Sequence, residues 1–103
     1  MEFENVTVVK KANIYFGGSV TSRTVSFPDG SRKTLGIMMR GEYEFNTAAK
    51  ELMEILGGEA EVLLPDEKSW RVFKEGDVFE VKADSSFRIR TSDILDYCCS
   101  YIS

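Results

Sequence analysis

Glu51 is the carboxylate that most invites a chemical reading. In Glu51-Leu52-Met53-Glu54-Ile55-Leu56 an extended backbone sends alternate side chains to opposite faces, so Glu51 shares a face with Met53 and Ile55 while Glu54 points away. If Met53 and Ile55 mark the inner face, a carboxylate beside them has to be paired, hydrogen-bonded or functional, because an ion is costly among apolar groups. Glu54 is then solvated, and the two cannot flank a bond as an acid/base pair. Histidine is absent, which excludes His-dependent triads and His-rich metal sites. The only cysteines, Cys98 and Cys99, are neighbours. On a strand they point to opposite faces, so a disulfide between them would be strained, and they match no common zinc spacing. They read as reduced thiols used for packing.

Three other features have a chemical reading and a plainer one. Gly17-Gly18-Ser19 could cradle a phosphate through backbone N–H groups, but no Walker lysine and no helix follow, so it reads as a turn before a strand. Arg88 and Arg90 flank Ile89 and share a face, the solvent side if Phe87 and Ile89 point inward. Trp70 could stack on a base or sugar, although a lone Trp in a small β protein is commonly a core or interface anchor.

The elements that must position these residues are strands. Ser19 to Phe27 is rich in residues that suit a pleated surface, Pro28-Asp29-Gly30-Ser31 is a turn, and Arg32 to Met39 is the return strand of a hairpin. Gly41 to Thr47 alternates cleanly, placing Tyr43, Phe45 and Thr47 on the inner face. Six more strands are predicted at Glu51 to Leu56, Glu59 to Leu64, Trp70 to Phe73, Asp77 to Lys82, Phe87 to Thr91 and Leu95 to Ile102. Gly57-Gly58, Pro65-Asp66-Glu67, Glu75-Gly76-Asp77 and Ala83-Asp84-Ser85-Ser86 separate them. Only Thr47 to Lys50 hints at a helical turn. Regular short strands with such turns predict an all-β sandwich or barrel.

The chain has 103 residues, 43% hydrophobic and 29% charged, enough for one ordinary core and too few for two, so residues 1–103 are expected to form one domain. A net charge of -4 gives no excess of Lys and Arg to displace counterions from nucleic acid or an anionic membrane, so neither is an expected partner. No basic leader precedes an apolar run at Met1-Glu2-Phe3-Glu4, and no stretch approaches the ~20 apolar residues of a spanning helix, so a cytoplasmic location is expected.

Glu51 followed by Gly58, and Gly76 followed by a turn to Phe87, resemble the two motifs of cupins. Where metal cupins carry a His-x-His pair and a further His, the matching positions hold Phe45, Thr47 and Phe87, leaving Glu51 alone of the four ligands. A closer resemblance covers nearly the whole chain. Asn13-Ile14-Tyr15-Phe16-Gly17-Gly18, Gly36-Ile37-Met38-Met39, Gly41 to Thr47, Val62-Leu63-Leu64-Pro65-Asp66, Trp70-Arg71-Val72-Phe73 and Asp77-Val78-Phe79-Glu80-Val81 resemble the small pyrimidine/purine nucleoside phosphorylases. Relatives often have Pro-Gly at Lys82-Ala83, a difference that alters one turn.

The resemblance implies a single cupin-type β-barrel (a double-stranded β-helix, or jelly roll) that needs no metal or other cofactor. It implies that inorganic phosphate cleaves purine and pyrimidine nucleosides, giving the free base and α-ribose 1-phosphate. Phosphorolysis through an oxocarbenium-like state calls for a cation, a carboxylate near the ribose and an aromatic wall. On that reading Glu51 binds ribose hydroxyls or stabilises positive charge at the anomeric carbon, and Arg32 binds phosphate through its fork of donors, with Ser22 assisting. Tyr43, Phe45 and Phe87 form the base wall, with Met53 filling an adaptable gap. Cupins of this length often pair through edge strands, so a homodimer is expected. A non-catalytic cupin binding a small metabolite and a partner-binding β module are the alternative classes.

Overall fold

In the computed structural model, which describes residues 2–102, Pro28-Asp29-Gly30-Ser31 reverses the chain as its residue types predict. Asp29 Oδ1 accepts hydrogen bonds from the backbone N–H and hydroxyl of Ser31, at 2.9 and 2.6 Å, and these hold its carboxyl below the usual carboxylate range. Gly30, at φ +89°, takes the left-handed conformation that glycine adopts without penalty. The strands on either side, β3 (Val20–Ser26) and β4 (Arg32–Met38), pair in register from Val20 opposite Met38 to Ser26 opposite Arg32.

The other elements are β1 (Thr7–Val8), β2 (Asn13–Tyr15), a 3-10 turn (Phe16–Gly18), β5 (Gly41–Asn46), β6 (Lys50–Gly57), β7 (Glu59–Leu63), β8 (Arg71–Lys74), β9 (Val78–Val81), β10 (Ser86–Thr91) and β11 (Leu95–Ile102). All nine predicted strands are present, with ends shifted by a residue or so. The short β1 and β2, which add to β3, are absent from the predicted set, although Val6-Thr7-Val8-Val9 and Ile14-Tyr15-Phe16 are runs of strand formers. Thr47 to Lys50 forms no helical turn. The Thr47 hydroxyl donates to the Lys82 carbonyl at 2.8 Å and accepts from Ser85 N at 3.0 Å, pinning the segment across to the next turn, and Lys50 already belongs to β6.

One antiparallel sheet of seven strands runs β1-β3-β4-β11-β6-β9 with β2 beside β3, and a second of four runs β5-β10-β7-β8. Neither sheet closes on itself; the all-β chain is built of two open antiparallel sheets. Their inner faces meet in one apolar cluster that includes Val20, Met38, Ile55, Val62, Val81, Ile89 and Leu95, each 2% exposed or less. Burying such a side chain is worth about 1.5–3 kcal/mol, so this rear region is the rigid support on which the rest of the inner surface stands.

The outer faces alternate with the buried ones along the strands, as on β10. Arg88 and Arg90 lie on the solvent side of β10, where Arg90 Nε meets Glu61 Oε1 at 3.1 Å and Arg88 Nε meets Glu44 Oε1 at 3.5 Å. Trp70 is an anchor for this ladder, with the Arg90 guanidinium 3.8 Å from its ring centroid. Such exposed pairs contribute about 0–1 kcal/mol each. Cys98 and Cys99 are free thiols, both buried, on opposite faces of β11. Among the described residues no helix is long and apolar enough to cross a membrane.

Candidate active site

Strand pairing orders the inner face of the large sheet into cross-strand rows. At the rear, Val20, Met38 and Leu95 are opposite one another and fully buried. In the next row Ser22 faces Gly36, Gly36 faces Tyr97, and Tyr97 faces Ile55. Thr24, Thr34, Cys99, Met53 and Phe79 make the third. The fourth, at the strand ends, holds Arg32 at the start of β4, Tyr101 near the end of β11, and Glu51 opposite Tyr101 on β6. The rows thus run from apolar to charged.

A cavity of about 350 Å³ lies over these rows, within the usual size of small-molecule sites. Its floor is Ser22, Arg32, Thr34, Met38, Glu51, Met53, Tyr97, Cys99 and Tyr101, and its opposite wall is Phe45 and Phe87, with Tyr15 and residues 46, 48 and 49 at the sides. Phe45 and Phe87 stack at 5.8 Å between ring centroids, and Tyr15 meets Phe45 edge-on at 6.2 Å. Burial falls from Tyr97 and Cys99, 5% and 3% exposed, to a half-buried Glu51 and Tyr101 and an exposed Arg32. The charged end is therefore the mouth.

Gly36 makes the inner row possible. A Cβ there would come within 2.6 Å of the Tyr97 ring and hydroxyl and 2.4 Å of the Thr21 carbonyl. Without one, the end of the Tyr97 side chain occupies that space over β4. Burial pushes the Tyr97 phenol far above its ordinary range, and the Ser22 hydroxyl acts in the other direction. Asn13 Nδ2 donates to the Ser22 and Thr24 hydroxyls, each at 3.2 Å, so β2 fixes the orientation of both.

Around Glu51 the balance is between burial and neighbours. Desolvation raises its carboxyl above the ordinary value, while the Cys99 thiol, whose Sγ donates to Oε1 at 3.5 Å, and the nearby Arg32 charge favour the ionised form. Cys99 is itself driven far up by burial and by Glu51, so it stays a neutral thiol. Tyr101 is pushed up to about 12, chiefly by burial, and also stays neutral. Its hydroxyl shares a 3.3 Å hydrogen bond with Thr34 Oγ1, and the Arg32 guanidinium lies 4.1 Å from its ring centroid.

Six of the seven residues singled out in the sequence line this cavity: Arg32, Ser22, Phe45, Glu51, Met53 and Phe87. Tyr43 does not. It points inward as its alternation requires, but on β5 it faces Ile89 toward the closed end, where its ring packs against Phe16 at 5.0 Å and its hydroxyl donates to the Met39 carbonyl at 2.7 Å. It ties the β4–β5 corner together. Ser22 lies four residues along β4 from Arg32, about 13 Å at strand rise, which assigns it to the inner part of the cavity rather than to the Arg32 end. Tyr97, Cys99 and Tyr101 are additional lining residues. They occupy alternate positions of β11, the same period of two that marks Glu51, Met53 and Ile55 on β6.

Of the positions that match cupin metal ligands, Phe45, Phe87 and Glu51 surround the cavity, and Thr47 is engaged with the turn at residues 82–85. Among the described residues no three His, Cys, Asp or Glu side chains gather closely enough to hold a metal ion. The arrangement offers a cation, a carboxylate, neutral hydroxyl and thiol groups and an aromatic wall around one volume.

Residues 10–101 match the sequence profile of the family described as Pyrimidine/purine nucleoside phosphorylase. A relative from Syntrophotalea carbinolica with that name is 60% identical over 101 residues, covering 98% of this chain and 97% of its own length. Among solved structures, a protein of unknown function from Acinetobacter sp. ADP1 superposes with a TM-score of 0.96 at 42% identity, covering 98% of each chain. A cupin superfamily protein from Desulfitobacterium hafniense gives 0.65 at 21% identity, covering 82% of this chain and 78% of its own, which shows likeness of fold.

Proposed function

This chain belongs to the pyrimidine/purine nucleoside phosphorylase family, and from that premise we propose that its cavity carries out phosphorolysis of both nucleoside classes. Inorganic phosphate attacks the anomeric carbon, the C–N glycosidic bond breaks, and the proton of hydrogen phosphate is delivered to the departing base. The products are the free base and α-ribose 1-phosphate. The observation that carries the reading is the placement of Arg32 and Glu51 on either side of Tyr101 at the mouth, facing the Phe45–Phe87 wall.

Each group then has a task. Arg32 binds phosphate through its planar fork of donors, which match tetrahedral oxyanions. Glu51 hydrogen-bonds ribose hydroxyls and, when ionised, stabilises positive charge at the anomeric carbon; partial burial strengthens that interaction relative to water. Phe45 and Phe87 take the base by stacking and apolar contact, Met53 adapts to its size, and Ser22 faces its inner edge. Every base has a π-face, so a wall of this kind accepts purines and pyrimidines alike, whereas a fixed set of edge hydrogen bonds would discriminate.

The finer architecture follows the same reading. The two open sheets act as a cupin-type barrel, one domain carries the whole glycosyl transfer, and the chain works in the cytoplasm. Two copies pair through edge strands to form a homodimer, a reading supported by the free edges of β9 and β8, which expose Val78 and Val72. Light scattering tests the pairing. For the reaction, purified protein treated with a chelator is given uridine or adenosine with and without phosphate, and base and ribose 1-phosphate are separated by chromatography. Phosphate-dependent release from both substrates supports the proposal. Ligand-induced stabilisation without product would instead identify a metabolite-binding module.

A further inference from the structure

Arg32 differs from the arginines of the outer ladder. Arg88 and Arg90 have their guanidinium groups in ion pairs with Glu42, Glu44 and Glu61, and Arg71 pairs with Glu67. Among the described residues, Arg32 enters no ion pair and no side-chain hydrogen bond. The contact that holds it is the face of Tyr101, 4.1 Å from the ring centroid to the guanidinium carbon. An aromatic face attracts a guanidinium without occupying any of its five N–H donors. The cation is thus oriented while its hydrogen-bonding capacity stays free for a ligand.

Tyr101 is in turn fixed through its hydroxyl. Its hydroxyl is tied to Thr34 Oγ1 at 3.3 Å, and Thr34 is 4% exposed on the neighbouring strand. Across β6 its register partner is Glu51, whose carboxylate is turned to the Cys99 thiol instead of reaching across to Arg32. A ring standing between a carboxylate and a guanidinium keeps the two from collapsing into an ion pair that would consume both. The neutral phenol adds no negative charge that an incoming oxyanion would have to overcome.

Resting on the phosphorylase reading above, we propose that Tyr101 is the positioning residue of the phosphate subsite. Its ring aims the Arg32 guanidinium into the mouth of the cavity with the donors free, and its hydroxyl, bonded to Thr34, keeps the ring in that orientation. Arg32 is exposed while Glu51 in the same row is half-buried and the base wall faces the rows farther in, so phosphate binds over a nucleoside already seated within.

The test is a set of steady-state measurements in which phosphate and uridine are varied separately. Tyr101→Leu removes the ring face and should raise the KM for phosphate about five- to thirtyfold, the range of a partly desolvated cation–π contact, with the KM for uridine changed less than about twofold. Tyr101→Phe keeps the face and should restore most of the phosphate affinity. Tyr101→Met is measured alongside, so that a folding failure of the Leu variant leaves the comparison standing. Because Tyr101 acts through Arg32, Arg32→Ala combined with Tyr101→Leu should be no worse than Arg32→Ala alone. Additive effects, equal changes in both KM values, or a wild-type phosphate KM in the Leu and Met variants would overturn the proposal. Failure of the underlying reading is seen separately, as wild-type protein whose base release does not depend on phosphate.

Discussion

Gly36→Ala adds one methyl group at the point where the floor of the cavity is tightest. The new Cβ would be 2.6 Å from the end of the Tyr97 side chain and 2.4 Å from the Thr21 carbonyl oxygen, where ordinary contact begins at 3.4 Å, so the neighbours must retreat by about 0.8–1.0 Å. Thr21 belongs to the β3–β4 ladder, opposite Ile37, and moves only if that pairing is disturbed. Tyr97 has one open direction, into the cavity. Overpacking of this kind costs about 1–3 kcal/mol, which lowers the melting temperature by roughly 5–20 °C for a domain of this size. The displaced ring should raise the nucleoside KM, more for adenosine than for uridine because the larger base reaches farther inward, while the phosphate KM changes little. Thermal melts and separate KM determinations read both effects. A variant with wild-type melting temperature and unchanged selectivity would refute the packing argument and the placement of the base over Tyr97.

Glu51→Gln should lower turnover about 10²–10³-fold, the usual effect of removing one electrostatic stabiliser of a transition state, while leaving the fold intact. The same variant tests linkage. Burial raises the folded-state pKa of Glu51 above its ordinary 4.5, so the folded chain holds that proton more tightly than the unfolded chain does, and this stabilisation is lost as pH rises through the raised value. Denaturation at several pH values should therefore show the wild type losing stability relative to Glu51→Gln from about pH 4.5 upward; a constant difference would contradict it. Phe87→Ala, which removes half of the stacked wall, should raise the KM for both nucleosides, and a selective loss for one base class would argue for edge recognition. With phosphate outermost, product inhibition should show ribose 1-phosphate leaving before the base, the reverse order contradicting the row assignment.

Most of the scaffold is legible because strands with one buried face advertise themselves by a period of two. Tyr43, Phe45 and Thr47 all point inward as that period requires, and Glu51 lies with Met53 and Ile55. Legibility stops where position along the strand matters. Nothing local distinguishes Tyr43, at the closed end with its hydroxyl on a backbone carbonyl, from Phe45, two residues nearer the mouth and facing the cavity. The pairing of β11 with β4 and β6 joins residues far apart in the chain, and only that register brings Tyr101 between Arg32 and Glu51. Cys99 reads as packing from composition, and packing is half of its role; the other half is the hydrogen bond to Glu51 that the register creates. The turn hinted at Thr47 to Lys50 gives way to a tertiary contact with residues 82–85, which outweighs a weak local preference.

The most direct measurement is a crystal structure with inorganic phosphate and pseudouridine, whose carbon–carbon glycosidic bond cannot be phosphorolysed. The account predicts a tetrahedral anion within hydrogen-bond distance of the Arg32 guanidinium, the ribose beside Glu51 and the uracil ring against Phe45 and Phe87. Ligand seated instead in the outer hollow lined by Arg40, Glu42, Glu61 and Arg90, with the inner cavity unaltered, would contradict it.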